Sequence, residues 1–303
     1  MILLVGATGT IGSRVARLLA GRDDVRCLVR SDPAEAAVVA CGHTPVGGDL
    51  ARPETLGPAF RGCDAVLLVT PYRPDQLRLE LAALDAAEAA GVRHLVALSV
   101  LDAAPGVEVA MTREHRLVEE RLRERGIPHS VLRPDWFASN TAAQLDLIRG
   151  GLITYPYADA LTAPVDPRDI AEVAVAALTA DEPWPDVVEL TGPQPLTFRQ
   201  SADRIAAVTG RPVALLEADP ADWRGGLLAS GVEGWYADAL LELIEGYARR
   251  TGDPVRSGVP DVLGRPARSY DDWVRDELAP LLDRPAQPAQ PATKTVFTAR
   301  SAR

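Results

Sequence analysis

The residues best placed to do chemistry stand near the start of the chain, in Gly6-Ala7-Thr8-Gly9-Thr10-Ile11-Gly12. The apolar run Ile2 to Val5 before them predicts a strand, and Ile11, Val15, Leu18 and Leu19 recur at helical spacing. Glycines between a strand and a helix signal a dinucleotide, because each has a separate physical task. Gly6 permits the tight turn, Gly9 lets the backbone approach a pyrophosphate, and Gly12 lets the helix pack closely on the strand. Thr8, Thr10 and Ile11 complete a phosphate-facing turn whose unpaired amides and partial positive charge suit an anion.

The second apolar run ends in Leu28-Val29-Arg30-Ser31. An acidic residue there would accept the ribose 2′-OH of NAD, whereas a guanidinium pairs with a 2′-phosphate. Arg30 therefore favours NADP(H) as cofactor, with NAD(H) as the alternative. Ligands of parallel sheets bind at the carboxyl ends of strands. There Asp49 and Leu50 are candidates for the adenine edge, and Thr70 and Pro71 for the nicotinamide ribose. Ser99 closes the fifth run and offers a hydroxyl to substrate or cofactor. After the sixth run, Trp136 and Phe137 supply rings where a flat conjugated substrate needs a wall, and Tyr155 is a further pocket candidate.

These residues need a scaffold that brings strand ends together. Apolar runs at Ile2 to Val5, Val25 to Val29, near Val46, Ala65 to Thr70, His94 to Ser99 and Ser130 to Leu132 alternate with helical patterns. One helix covers Leu77 to Ala90 and another Thr112 to Arg125, each followed by glycine. That alternation predicts an α/β fold, a Rossmann-like, doubly wound parallel sheet covered on both faces. After Pro134 the pattern loosens, although a helix is expected over Asp169 to Ala180 and a strand over Val187 to Leu190. The expected division is a dinucleotide-binding domain over 1–134, to which later segments return, a smaller substrate-side lobe over 135–283, and a disordered tail over 284–303.

Composition narrows the partners. A net charge of −10 with no basic cluster works against a nucleic-acid surface, and no apolar run is long enough to span a bilayer. The opening Met-Ile-Leu-Leu-Val-Gly has no basic n-region and reads as a strand, so a cytoplasmic protein is expected. Cys27, Cys41 and Cys63 lack metal or disulfide spacing and read as small buried residues. His43, His94 and His129 flank strands without ligand spacing, so no metal site is assigned. The basic residues are arginine throughout, apart from Lys294.

Further stretches point to a family. Gly91-Val92-Arg93-His94-Leu95-Val96 leads to Ser99, and Glu119-Glu120-Arg121-Leu122 is followed by Gly126-Ile127-Pro128 and Leu132-Arg133-Pro134. Leu190-Thr191-Gly192-Pro193, Thr209-Gly210-Arg211-Pro212 and Gly264-Arg265-Pro266 follow, ahead of Tyr270 and Trp273. With the glycine loop they resemble the NmrA-like family, a branch of the atypical short-chain dehydrogenases/reductases, from Met1 to about Leu282. The resemblance implies NADP(H) or NAD(H) binding in either a reductase or a redox sensor. It also exposes a departure. Ordinary short-chain reductases use a tyrosine four residues before a lysine, yet the lone lysine here is Lys294 and no tyrosine lies between Tyr72 and Tyr155. Met111 and His115 stand at the corresponding spacing, which makes His115 the candidate proton donor, with an ordinary pKa near operating pH. The expected activity is NADP(H)-dependent reduction of a small quinone, enone, ketone or imine by a monomer or homodimer. A non-catalytic redox sensor or regulatory protein, and an isomerase or lyase that retains its cofactor, are the alternatives.

Overall fold

Strands form in this chain where short apolar runs can be covered on both faces. The computed structural model describes residues 1–101, 109–181 and 184–285. In the first half strand and helix alternate: β1 (Ile2–Val5), α1 (Gly12–Leu18), β2 (Val25–Val29), α2 (Asp32–Ala40), β3 (Thr44–Gly47), α3 (Gly57–Phe60), β4 (Ala65–Leu68), α4 (Gln76–Ala90), β5 (His94–Leu98), α5 (Ala110–Arg125) and β6 (His129–Pro134). The second half carries α6 (Leu145–Arg149), β7 (Leu152–Tyr155), β8 (Leu161–Thr162), α7 (Pro167–Leu178), β9 (Val187–Leu190), β10 (Leu196–Thr197), α8 (Phe198–Thr209) and β11 (Ala214–Glu217). It ends in α9 (Pro220–Ala229), α10 (Gly234–Arg249), α11 (Gly258–Leu263), α12 (Tyr270–Trp273), a π-helical turn (Val274–Leu278) and α13 (Ala279–Asp283).

Seven parallel strands make the main sheet in the order β3-β2-β1-β4-β5-β6-β9. The chain steps outward from β1 to β3 and then crosses back to lay β4 on the other side of β1. That reversal leaves a crevice beyond the carboxyl ends of β1 and β4, where ligands of such sheets bind. Alternation within β1 feeds two cores. Ile2 and Leu4 face a core shared with α1, α7 and α11, and Leu3 and Val5 face one shared with α3, α4 and α5. The expected doubly wound sheet is therefore present, completed by α7 and β9 from beyond residue 134.

A third core, rich in aromatic rings, joins α8, α9, α10 and α12 to Trp136, Tyr155 and the start of α5. Two small sheets border it, β7 with β11 in parallel and β8 with β10 antiparallel.

Local signals set the boundaries. α4 and α5 stop at Gly91 and Gly126, both left-handed at φ 67° and φ 64°. α7 begins at Pro167, two residues before the expected start, because the Asp166 carboxylate accepts the Arg168 amide at 2.8 Å. β4 and β5 end at Leu68 and Leu98, so Thr70 and Ser99 stand on loops beyond the strand ends. Cys27 and Cys63 are buried as expected, whereas Cys41 is partly exposed. The tail read from Arg284 lies, beyond residue 285, outside the described residues.

Buried acids tie distant segments together through arginine. Glu119 on α5 is 1% exposed and accepts Arg133 Nε of β6 at 3.0 Å. Asp135 accepts both terminal nitrogens of Arg250, at 2.9 and 3.1 Å, from the end of α10. Asp169 on α7 is held by Arg265 and Arg268. Removing one partner of such a pair strands a charge in the interior. Arg133→Ala should thus cost about 3 kcal/mol of unfolding free energy, measured by urea denaturation; a loss below about 1 kcal/mol would mean that the pair is not the clasp described here.

Candidate functional site

The loop after β1 is shaped by contacts that exclude side chains. Gly6 has φ +87°, and a Cβ there would lie 2.1 Å from the Val69 carbonyl oxygen. A Cβ on Gly12 would lie 2.1 Å from the Gly6 carbonyl oxygen. Gly9 differs: the nearest atom to its Cβ position is Gly6 O at 3.4 Å, and the residue is exposed. Packing therefore demands glycine at Gly6 and Gly12, whereas at Gly9 the missing side chain leaves a cradle open to a ligand. Gly9 N donates to Gly6 O at 3.0 Å, and Ser13 N donates to Gly9 O at 2.9 Å. The amides of Thr10, Ile11 and Gly12 between them have no backbone acceptor among the described residues. Thr8 is exposed, and Arg14 braces the turn by donating to Thr10 O at 2.9 Å. Free amides, an exposed cradle and small residues fit the pyrophosphate of a dinucleotide.

Around the loop stand the other strand ends. Arg30 follows β2, is exposed, and forms no hydrogen bond or ion pair among the described residues. Asp49 is turned on its own loop, its carboxylate accepting the Ala51 amide at 2.9 Å, while Leu50 is buried in the core beneath α3 and α4. Thr70 and Pro71 come directly after Val69, the residue pressed against Gly6.

Thr70 leads to a polar cluster that the sequence reading missed. Its hydroxyl bonds to Glu80 on α4, a side chain 2% exposed, and Gln76 Nε2 donates to the same Glu80 oxygen at 3.0 Å. Gln76 Nε2 also lies 3.5 Å from both ring nitrogens of His115, at the limit of a hydrogen bond. Gln76, Glu80, Ala83 and Ala87 are all buried on one stripe of α4. A Gln and a Glu at the spacing of buried alanines were the available signal.

His115 is 9% exposed, and burial pushes its imidazole down to about 4, against a smaller upward pull from Glu119. At neutral pH the ring is uncharged, which corrects the expectation of an ordinary histidine pKa there. Ser99 is buried and donates to Glu119 Oε1 at 2.7 Å, so its hydroxyl proton is already committed. Burial pulls Glu119 up, but Arg133, Ser99 and Arg123 together hold it below the usual carboxylate range.

Trp136 and Tyr155 lie inside the aromatic core. Tyr155 stacks on Phe198 at 4.1 Å between centroids, and Trp136 meets the same ring edge-on at 5.5 Å. Phe137 bridges to Val165 and packs on the core beneath the sheet. Partly exposed rings stand instead at Tyr72, which follows Pro71, and at Trp235 of α10, 5.8 Å from it. Burial pushes the Tyr72 phenol up to about 12, with Glu114 and Glu242 adding to the effect.

A family model described as NAD(P)H-binding matches residues 6–181. The chain belongs to the NAD(P)H-binding family. The fold is shared with NmrA, a negative transcriptional regulator solved with NAD, at a TM-score of 0.72 and 18% identity over 92% of this chain and 95% of that one, in keeping with the resemblance read from the sequence. A (4-alkanoyl-5-oxo-2,5-dihydrofuran-3-yl)methyl phosphate reductase of Streptomyces griseus is 39% identical, over 90% of this chain and 96% of its own. An NAD(P)H azoreductase of Xenophilus azovorans is 35% identical, over 92% and 98%. The fold is also that of an NADPH-dependent quinone oxidoreductase from Escherichia coli solved with NADPH, with a TM-score of 0.81 at 24% identity, covering 90% of this chain and 98% of that one.

The contrast among the glycines is testable. Gly9→Ala should leave the melting temperature within about 2 °C of the parent, since its methyl meets only ordinary contacts, yet weaken cofactor binding about tenfold or more. Calorimetric titration of the folded variant with NADPH decides: unweakened binding would remove the pyrophosphate from this loop.

Proposed function

We propose that this chain is an NADP(H)-dependent reductase of a small conjugated acceptor such as a quinone, enone, ketone or imine. The observation that carries the reading is near-full-length likeness to two named reductases, in a chain whose dinucleotide crevice is intact. Amides of the Thr10 to Gly12 turn would hold the pyrophosphate, and Arg30, unpaired among the described residues, would take the 2′-phosphate bidentately. Thr70 and Pro71 would flank the nicotinamide ribose. When bound, the cofactor supplies a hydride.

The chain's own groups then orient the acceptor and exclude water. Tyr72 and Trp235 offer the wall for a flat substrate, backed by the packed rings of Trp136, Tyr155 and Phe198. His115, neutral in its buried setting, serves as a fixed hydrogen-bond donor and not as a cationic acid. No lysine assists.

Two measurements test this reading. In calorimetry Arg30→Ala should weaken NADPH about tenfold or more, the worth of a lost charge-assisted hydrogen bond, and change NADH binding by less than about twofold. Equal losses for both cofactors would remove Arg30 from the 2′-phosphate. Following NADPH absorbance across a panel of quinones, enones and imines should reveal acceptor-dependent oxidation, and His115→Ala should slow it about tenfold without abolishing it. A panel that leaves tightly bound NADPH untouched would point to a cofactor sensor.

A further inference from the structure

Among the described residues the buried carboxylates follow a rule with one exception. Glu119, Asp135, Asp166 and Asp169 are each 4% exposed or less, and each is paired with arginine. Glu80 is as deeply buried, at 2% exposed, but its partners are the neutral Thr70 hydroxyl and Gln76 amide. It forms no ion pair among the described residues. Arginine supplies the counter-charge elsewhere in the interior, so its absence here leaves an acid that is costly to ionise. Burial pushes the Glu80 carboxyl up to about 7, with Glu114 adding repulsion against the pull of its two hydrogen bonds.

Position gives this acid a use. Glu80 bonds to Thr70, and Thr70 is covalently next to Val69, whose carbonyl presses on Gly6 at the floor of the crevice. A protonated carboxyl donates to the Thr70 oxygen, which frees the Thr70 proton to point toward the crevice. Gln76 steadies Glu80 and reaches toward His115. The other titratable groups facing the cluster are Glu114 and His115 from α5, and α3 on the other flank of α4 carries none.

We propose that Glu80 is the proton reservoir of the crevice, releasing its proton to the reduced acceptor through the Thr70 hydroxyl. The proposal rests on the reductase reading. As the acceptor gains the hydride electron pair at one atom, its oxygen or nitrogen forms a bond to the Thr70 proton. Thr70 in turn takes the proton from Glu80, whose O–H bond breaks to leave a carboxylate. Water returns a proton to Glu80 by the same path once product has left, so one hydride and one proton are consumed per turnover. Glu80 acts here as a positioning and storage residue, and Thr70 is the group that meets the acceptor.

The first readout needs neither cofactor nor variant activity. Infrared titration of the cofactor-free protein should show a protonated carboxyl band that disappears as pH rises through about 7, and Glu80→Gln should lack it. Single-turnover reduction in the wild type should slow above about pH 7, because the protonated form is the donor. Glu80→Gln should be about a hundredfold slower and flat across that range, with NADPH affinity within about twofold of the parent. Thr70→Val should be similarly slow and Thr70→Ser close to wild type, which guards against a Glu80 variant that merely misfolds. A wild type that turns over while showing no such band, or a Glu80→Gln variant that keeps the parental rate and pH profile, overturns the reservoir and leaves the reductase intact. A wild type that oxidises NADPH with no acceptor tested defeats both.

Discussion

The structure turns on one close approach, that of the Gly6 backbone to the carbonyl of Val69. No Cβ fits between them, and Gly12 stacks on Gly6 with as little room. Because the loops after β1 and β4 touch there, the floor of the crevice is set by backbone atoms, which have few ways to rearrange. Everything assigned to the site is measured from this contact. Thr70 is the next residue along one loop, the free amides of Thr10 to Gly12 lie along the other, and Arg30 leaves the neighbouring strand two residues beyond Leu28, the register partner of Val5.

A second regularity is the use of arginine. Interior acids are clasped by guanidinium groups that arrive from remote segments, as Arg250 reaches Asp135 and Arg265 and Arg268 reach Asp169. These pairs compensate charge and at the same time fasten the later helices to the sheet. Among the described residues the pairing lapses in both directions: Arg30 meets no acid and Glu80 no arginine. Unpaired groups of opposite kinds are what a binding region keeps in reserve for a ligand and a reaction.

Much of this scaffold was legible in the residues. Ile2–Val5, Val25–Val29 and Val187–Leu190 read as strands with the bounds they have, because short runs rich in Val, Leu and Ile and ended by Gly, Arg and Thr leave little latitude. The glycine loop was legible for the same reason, since its spacing encodes close contacts. Groups whose character depends on neighbours distant in sequence were not. The helix around Leu77 to Ala90 looked like an alanine-rich packing element, and although Gln76 and Glu80 share the spacing of its buried alanines, nothing local shows that Thr70 is what they meet. His115 was placed on the right helix, but its loss of charge comes from burial by other segments. Trp136 and Tyr155 were read as pocket rings, and their T-shaped and stacked contacts with Phe198 came from a segment more than forty residues farther along.

The placement of β9 carries a consequence for how the chain is made. β6 pairs with β5 on one side and with β9 on the other, and β9 follows β6 in the chain only after more than fifty residues, α6 and α7 among them. On the ribosome, the first six strands therefore emerge with β6 as an open hydrogen-bonding edge until Leu190 has been synthesised. Such an edge is a template for another nascent chain, and the pairing of β9 is what closes it.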